Sequence, residues 1–152
     1  MARIEATQTA LFEVPASLEE AYSAFAEPEI VKSSIIGLDR YEILDNGDAR
    51  WILKEKAEKG LRFRGDYTVR YGGNGADKVN WYTVAGNIDT RGEVVLTRLS
   101  SGVRIDYRET LAPDLPIPRL MAKVFKPIVA REVRKDIDAY IENVKRYLTS
   151  LR

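Results

Sequence analysis

The chain contains neither cysteine nor histidine. Their joint absence excludes disulfides, thiolate or imidazole metal ligands, a cysteine nucleophile and any Ser-His-Asp triad. Chemistry, if there is any, must rest on carboxylates, tyrosines, lysines, arginines or bound water. A surplus of one charge is missing too. The 24 Lys and Arg nearly balance 23 Asp and Glu, leaving a net charge of +1, whereas nucleic-acid binding ordinarily demands a basic excess. No stretch approaches the roughly 18 apolar residues of a membrane span. The start, Met1-Ala2-Arg3-Ile4-Glu5, has no apolar run of signal-peptide length. These absences lead to the expectation of a cytoplasmic protein that binds no nucleic acid and uses no metal or other cofactor. One domain over 1–152 accounts for the length. A chain of this size buries about 68–70% of its unfolded surface, enough for a core without covalent staples.

What is present is organised around the last stretch, the roughly 35 residues from Ile117 to Leu151. Leu120, Val124, Ile128, Val133, Ile137, Tyr140, Ile141, Val144, Leu148 and Leu151 recur at three- and four-residue steps, the stripe of a long helix. Arg131, Arg134, Lys135, Asp138, Glu142 and Arg146 fall on its other face. Such a stripe cannot bury itself, so the upstream chain must be shaped to receive it.

Upstream, Ile4, Ala6, Ala10, Phe12 and Val14 alternate with Glu5, Thr7, Thr9 and Glu13, which predicts a half-buried strand with Gln8 as the polar exception on the inner side. Pro15 closes it. Ser17-Leu18-Glu19-Glu20 reads as a capping box opening a helix that buries Leu18, Ala21, Tyr22 and Phe25 and ends at Pro28. A second helical turn is expected from Glu29 to Ile35, stopped at Gly37. From Arg40 onward, Asn46-Gly47, Lys59-Gly60, Gly72-Gly73-Asn74-Gly75 and Ser100-Ser101-Gly102 separate about six runs of strand length. Leu61, Phe63, Gly65, Tyr67, Val69 and Tyr71 share one face of a single alternating run. Trp51 and Leu53, then Val79, Trp81, Thr83 and Ala85, then Val103, Ile105 and Tyr107 point inward on the others. For 92–99 the register depends on whether the Ser100-Ser101-Gly102 loop holds two or three residues, and the favoured reading turns Val94, Leu96 and Arg98 inward. Gly65, Gly86 and Gly92 read as bulges or bends that let a sheet curl. The order strand, two helices, antiparallel meander, long helix makes the fold α+β.

This order resembles the helix-grip fold of the START-like (SRPBCC) superfamily over essentially the whole chain. Glu13-Val14-Pro15-Ala16-Ser17-Leu18-Glu19-Glu20-Ala21-Tyr22 looks like the strand-to-helix passage of its polyketide cyclase and lipid-transport branch. Gly92-Glu93-Val94-Val95-Leu96 followed by Gly102-Val103-Arg104-Ile105-Asp106-Tyr107 looks like its final hairpin. The resemblance implies a curved sheet wrapped around the C-terminal helix with a hydrophobic cavity between them. It implies a guest such as a lipid, quinone, polyketide, steroid or plant hormone.

Within that frame Trp51, Leu53, Phe63, Tyr67, Trp81 and Tyr107 are the expected wall of a ligand site, against the alternative of a solid aromatic core. Met121, Phe125, Ile128 and Val129 are the expected lid side, acting as a gate with the Ile30 to Leu38 region or simply packing there. Glu55 and Glu109 break the inward pattern. Either they reach solvent at strand ends, or they line the cavity beside Arg98 or Tyr67, orient a ligand hydroxyl and serve as acid or base; Glu55, Glu109 and Tyr67 are the catalytic candidates. The segment Ala112-Pro113-Asp114-Leu115-Pro116-Ile117-Pro118 reads as a stiff loop, and Pro127 as either a kink or the start of regular helix. Arg119, Lys123, Lys126, Arg131, Arg134 and Lys135 form either a solvated face or a patch for transient contact with anionic membrane. The glycine run at 72–75 lacks the Lys-Ser/Thr of a phosphate loop. The functional expectation is a binding or transport protein for a small hydrophobic molecule. A cyclase or dehydratase is the alternative, and a cargo-free interaction module the third class.

Overall fold

In the computed structural model, which describes residues 1–58 and 60–152, the N-terminal alternation becomes two strands, β1 (Ala2–Arg3) and β2 (Ala6–Val14). Ala6 and Val14 are buried, with Ala10 and Phe12 half-buried between them. The capping box is complete. Ser17 Oγ accepts the Glu20 amide at 3.0 Å, and Glu20 Oε1 accepts the Ser17 amide at 2.9 Å. It opens α1 (Leu18–Ala26), which buries Ala21, Ala24 and Phe25. Pro28 opens the next helix besides closing the first, because its fixed φ and missing N–H suit a first helical position. The helix α2 (Pro28–Val31) is therefore earlier and shorter than the expected turn.

Eight strands follow, β3 (Leu38–Ile43), β4 (Ala49–Leu53), β5 (Lys56–Glu58), β6 (Leu61–Phe63), β7 (Asp66–Gly73), β8 (Lys78–Gly86), β9 (Ile88–Leu99) and β10 (Gly102–Leu115). The main sheet runs β1-β10-β9-β8-β7-β4-β3, with β2 also paired to β10, and β5–β6 is a separate hairpin. The single run expected from Leu61 to Tyr71 is thus two strands in two sheets. The chain switches sheets at Gly65, where an added Cβ would stand 2.7 Å from Ile88 Cδ1 and 3.0 Å from Leu53 Cδ1, so a side chain there would push those two side-chain ends aside. The inward parity survives the break, with Tyr67 and Val69 buried.

The β9–β10 turn holds two residues, since Leu99 pairs with Gly102. That register buries Val94 and Leu96 opposite Tyr107 and Ile105. Ala85 is exposed, contrary to the alternation. The β7–β8 register slips between Thr68 and Val69, leaving Val84 as an extra residue beside Gly86 (φ 113°), and the bulge turns Ala85 outward. The proline segment is strand rather than loop as far as Leu115. Pro113 needs no donor where the β9 ladder ends, and its carbonyl accepts the Ile4 amide at 3.3 Å. In the β7–β8 loop, Asn74 Oδ1 accepts the amides of Ala76, Asp77 and Lys78, so the glycine run closes on its own side chain.

A single 3-10 turn (Arg119–Met121) leads into α3 (Ala122–Ser150), which buries Val129, Val133, Ile137, Ile141, Val144 and Leu148. The stripe expected at Leu120 and Val124 is displaced, for these are 91% and 62% exposed, and Leu151 is 39% exposed. Four residues back from Val129 lies Phe125; Val124 stands one residue, about 100°, off the buried line. Pro127 lies inside α3, so regular helix starts before it, and the Lys123 carbonyl lacks the N–H that position 127 would otherwise offer. Polar ties fix α3 along β2. Gln8 donates to Asp138 at 2.8 Å, Arg134 to the Thr7 carbonyl at 3.3 Å, and the Lys145 ammonium lies 4.7 Å from the Phe12 ring centroid. The result is a helix-grip fold, an antiparallel sheet wrapped around a long C-terminal helix. Among the described residues no helix is long and apolar enough to cross a membrane.

Candidate functional site

Three neighbouring strands put Trp81, Gly92 and Glu109 in one cross-strand row. Gly92 forms no bulge, contrary to the reading above; it leaves space. A Cβ there would stand 2.2 Å from the Trp81 ring, so the missing side chain lets the indole lie across β9. Its Nε1 donates to Glu109 Oε2 at 3.1 Å on the far strand. Thr90 Oγ1 donates to the same oxygen at 2.6 Å, and the Tyr107 hydroxyl to Oε1 at 2.6 Å. A carboxylate offers about four acceptor sites, so this one retains an open lone pair. Glu109 takes part in no ion pair among the described residues.

Between this row and α3 the interior is not filled. A lobe of about 100 Å³ is lined by Ile35, Ile36, Leu53, Tyr67, Val69, Tyr71, Trp81, Ile88, Thr90, Glu109, Leu111, Asp136, Ile137 and Tyr140. A second of about 140 Å³ adjoins it through Ile36, Leu53, Ile88, Leu111 and Asp136. Its own lining is mainly apolar: Leu61, Phe63, Pro113, Leu115, Phe125, Ile128, Val129 and Val133, with Lys54, Lys56 and Glu132. We call these the tyrosine lobe and the apolar lobe. Lys56 of β5 pairs with Asp136 of α3 at 2.5 Å, tying the small hairpin to the helix over the junction. For scale, a cavity of about 150 Å³ accepts a benzene molecule, whereas drug-sized sites run to roughly 300–1,000 Å³.

Of the residues singled out in the sequence, Leu53, Phe63, Tyr67, Trp81, Glu109, Phe125, Ile128 and Val129 face this space. Five others do not. Trp51 is fully buried behind the lining, its Nε1 donating to the Tyr71 hydroxyl at 3.1 Å. Tyr107 is likewise buried and reaches the cavity only through Glu109. Arg98 has the inward parity but lies at the end of β9 beyond the core, where it donates to Glu19 at 3.0 Å. Glu55 is exposed near Arg62, because the chain has already left β4 for the separate hairpin. Met121 belongs to the 3-10 turn, ahead of the buried stripe, and is 39% exposed. Sequence reasoning missed Thr90 and Asp136. Extending the Leu96, Val94 and Gly92 parity two residues would have found Thr90. Asp136 adjoins Ile137 on a helix face that reads as charged and solvated.

Burial pushes the Tyr67 hydroxyl well above its ordinary pKa, and the Glu109 and Asp136 charges add to this. Tyr140 rises for the same reasons, burial first and then Glu109. Burial likewise raises Tyr71 and Tyr107, and the Glu109 charge adds further. All four therefore remain neutral phenols able to donate. Among the described residues, the hydroxyls of Tyr67 and Tyr140 have no hydrogen-bond partner, and both residues line the tyrosine lobe.

No family model and no curated protein matches the sequence. Solved structures do share the fold. The Zhui aromatase/cyclase from Streptomyces sp. R1128 superposes with a TM-score of 0.70 at 12% identity, over 95% of this chain and 93% of that one. A norcoclaurine synthase point mutant from Thalictrum flavum, in complex with a transition-state analogue, gives 0.63 at 11% over 99% and 98%. The protein Ara h 8.0201 gives 0.62 at 15% over 96% and 99%. At these identities the likeness concerns the fold alone.

Proposed function

We propose that the chain is a binding or transport protein for one small, largely apolar molecule held between the sheet and α3. The observation that carries this is the pair of adjoining lobes, left open in an interior otherwise packed with Trp51, Phe25, Ile105, Tyr107 and Val144. Interiors ordinarily close to crystal-like density, and an apolar hollow forfeits contacts that a guest restores. The lobe volumes suit a guest of one or two rings or a short branched chain. Apolar walls supply affinity, and the Tyr67 and Tyr140 hydroxyls with the open lone pair of Glu109 supply orientation. Native mass spectrometry of protein purified without detergent tests this. A small organic adduct is expected, and Leu111→Trp, which fills the junction of the lobes, is expected to lose it. Bare protein that also takes up no neutral apolar probe would overturn the proposal.

A second reading, a cyclase or dehydratase, is favoured by one specific feature. Glu109 faces the cavity while hydrogen-bonded to Tyr107 and Thr90, which is the setting an acid–base residue needs. The aromatase/cyclase and norcoclaurine synthase names among the fold neighbours fit that reading. Turnover lost in Glu109→Gln with binding retained would select it.

We propose further that the guest is exchanged at an anionic lipid surface. Leu120, Met121 and Val124 project outward among Arg119, Lys123 and Lys126, and the sequence has no acidic residue between Asp114 and Glu132. The turns that carry them also present Phe125, Ile128 and Val129 to the apolar lobe. Co-sedimentation with phosphatidylserine-rich vesicles, but not with phosphatidylcholine alone, is expected, and is expected to vanish in Leu120→Glu/Val124→Glu. Equal sedimentation with both lipids would remove this proposal.

A further inference from the structure

The chemical class of the guest follows from an imbalance in the tyrosine lobe. Its lining contains two carboxylates, Glu109 and Asp136, and, among the described residues, neither lysine nor arginine. Asp136 has Lys56 as a partner. Among the described residues Glu109 has only neutral donors, an indole N–H and two hydroxyls, so its hydrogen bonds are made but no cation there balances its charge. A half-buried carboxylate with no cation paired to it, at the wall of an interior hollow, is stabilised when a cation comes to it. The remaining walls include the rings of Tyr67, Tyr71, Trp81 and Tyr140. Aromatic faces attract a desolvated cation, and Trp and Tyr do so best. Tyr67, 7% exposed, lines the lobe, and among the described residues its hydroxyl has no partner. The negative potential of Glu109 also reaches the surrounding phenols, adding to the burial that keeps them protonated.

We propose that the tyrosine lobe receives a protonated amine, with the apolar body to which that amine is attached filling the adjoining lobe. This deepens the cavity reading and rests on it. Glu109 is the counter-ion, the rings enclose the ammonium, and the Tyr67 and Tyr140 hydroxyls offer oxygen lone pairs to its N–H groups. A neutral alcohol could donate one hydrogen bond to Glu109 but would leave the charge unbalanced. An anion would meet two carboxylates.

Isothermal titration calorimetry at neutral pH with n-hexylamine, 1-hexanol and hexanoate, probes of one length and three charges, separates the cases. The amine is expected to bind at least tenfold tighter than the alcohol, with hexanoate weakest. Glu109→Gln, which preserves the shape of the site, is expected to abolish the preference while alcohol binding persists. Alcohol binding as tight as amine binding, or preference for hexanoate, overturns the amine assignment and leaves the cavity reading intact. Failure of all three probes overturns both. Should Glu109→Gln fail to fold, the order of affinities in the wild-type protein decides alone.

Discussion

Replacing Gly92 with alanine tests whether the row Trp81-Gly92-Glu109 organises the interior. The new methyl group would stand 2.2 Å from Cε2 and Cζ2 of Trp81 and 2.5 Å from Nε1. Carbon contacts settle at about 3.5–4.0 Å, so the indole must shift by roughly 1 Å or more. A shift of that size takes the 3.1 Å bond to Glu109 out of hydrogen-bonding range. Overpacking costs about 1–3 kcal/mol. Losing a hydrogen bond to a charged group costs about 1.5–3 kcal/mol. Reduced freedom of the unfolded chain returns about 0.4–1 kcal/mol. The net destabilisation is about 2–5 kcal/mol, which for a chain of this length lowers Tm by roughly 4–20 °C. Thermal unfolding followed by far-ultraviolet circular dichroism gives the shift, and the near-ultraviolet tryptophan bands report the displaced indole. Gly72→Ala is the control, because its nearest neighbour is the Asn80 Oδ1 at 3.8 Å and its φ is not positive. If Gly92→Ala melts within about 2 °C of the wild type with unchanged tryptophan bands, the role given to this glycine is wrong.

Three further outcomes are expected elsewhere. The hydrogen bond from Arg70 holds the Asp48 carboxyl below its ordinary pKa. Because the folded value is depressed, that contribution to stability is present above about pH 4 and lost as pH falls through the folded value. Urea midpoints between pH 7 and pH 2.5 should therefore fall less steeply in Asp48→Asn, and an identical fall in both proteins would refute this. Ser17→Ala removes one half of the capping box and should cost about 1 kcal/mol; an unchanged urea midpoint would count against it. Pro127→Ala restores an N–H for the Lys123 carbonyl and should stabilise α3 by about 1–3 kcal/mol. Hydrogen exchange should then slow at 125–131 and remain as it was at Val133–Leu148, whereas faster exchange at 125–131 would show that the proline stabilises the turn.

Elements whose signals are local could be read from the sequence. The capping box is written in four residues, and the parities of β2, β7, β9 and β10 follow from one buried face. What failed depended on distant partners. Nothing near Leu61 says that Gly65 must make room for Ile88 and Leu53, so the run looks like one strand. Val124 and Val129 are equally apolar, and only the position of the sheet decides which one faces it. Arg98 has the right parity, but parity does not tell where a strand outruns the core. Glu109 was visible as a charge out of pattern. Its three donors come from β8, β9 and β10, and the pairing that gathers them spans 28 residues from Trp81 to Glu109. Asp136 lines both lobes, and its partner Lys56 comes from the small hairpin, 80 residues away in the chain.

Whether the space between sheet and α3 admits a guest is decided by methyl-resolved NMR during titration with naphthalene, a neutral apolar probe of two rings. The methyl signals of Leu53, Ile88, Leu111, Ile128 and Ile137 are expected to shift together and saturably, while Val14 and Val103, away from both lobes, stay fixed. Shifts confined to exposed Leu11, Leu120 and Val124, or no saturable shift at all, would contradict it.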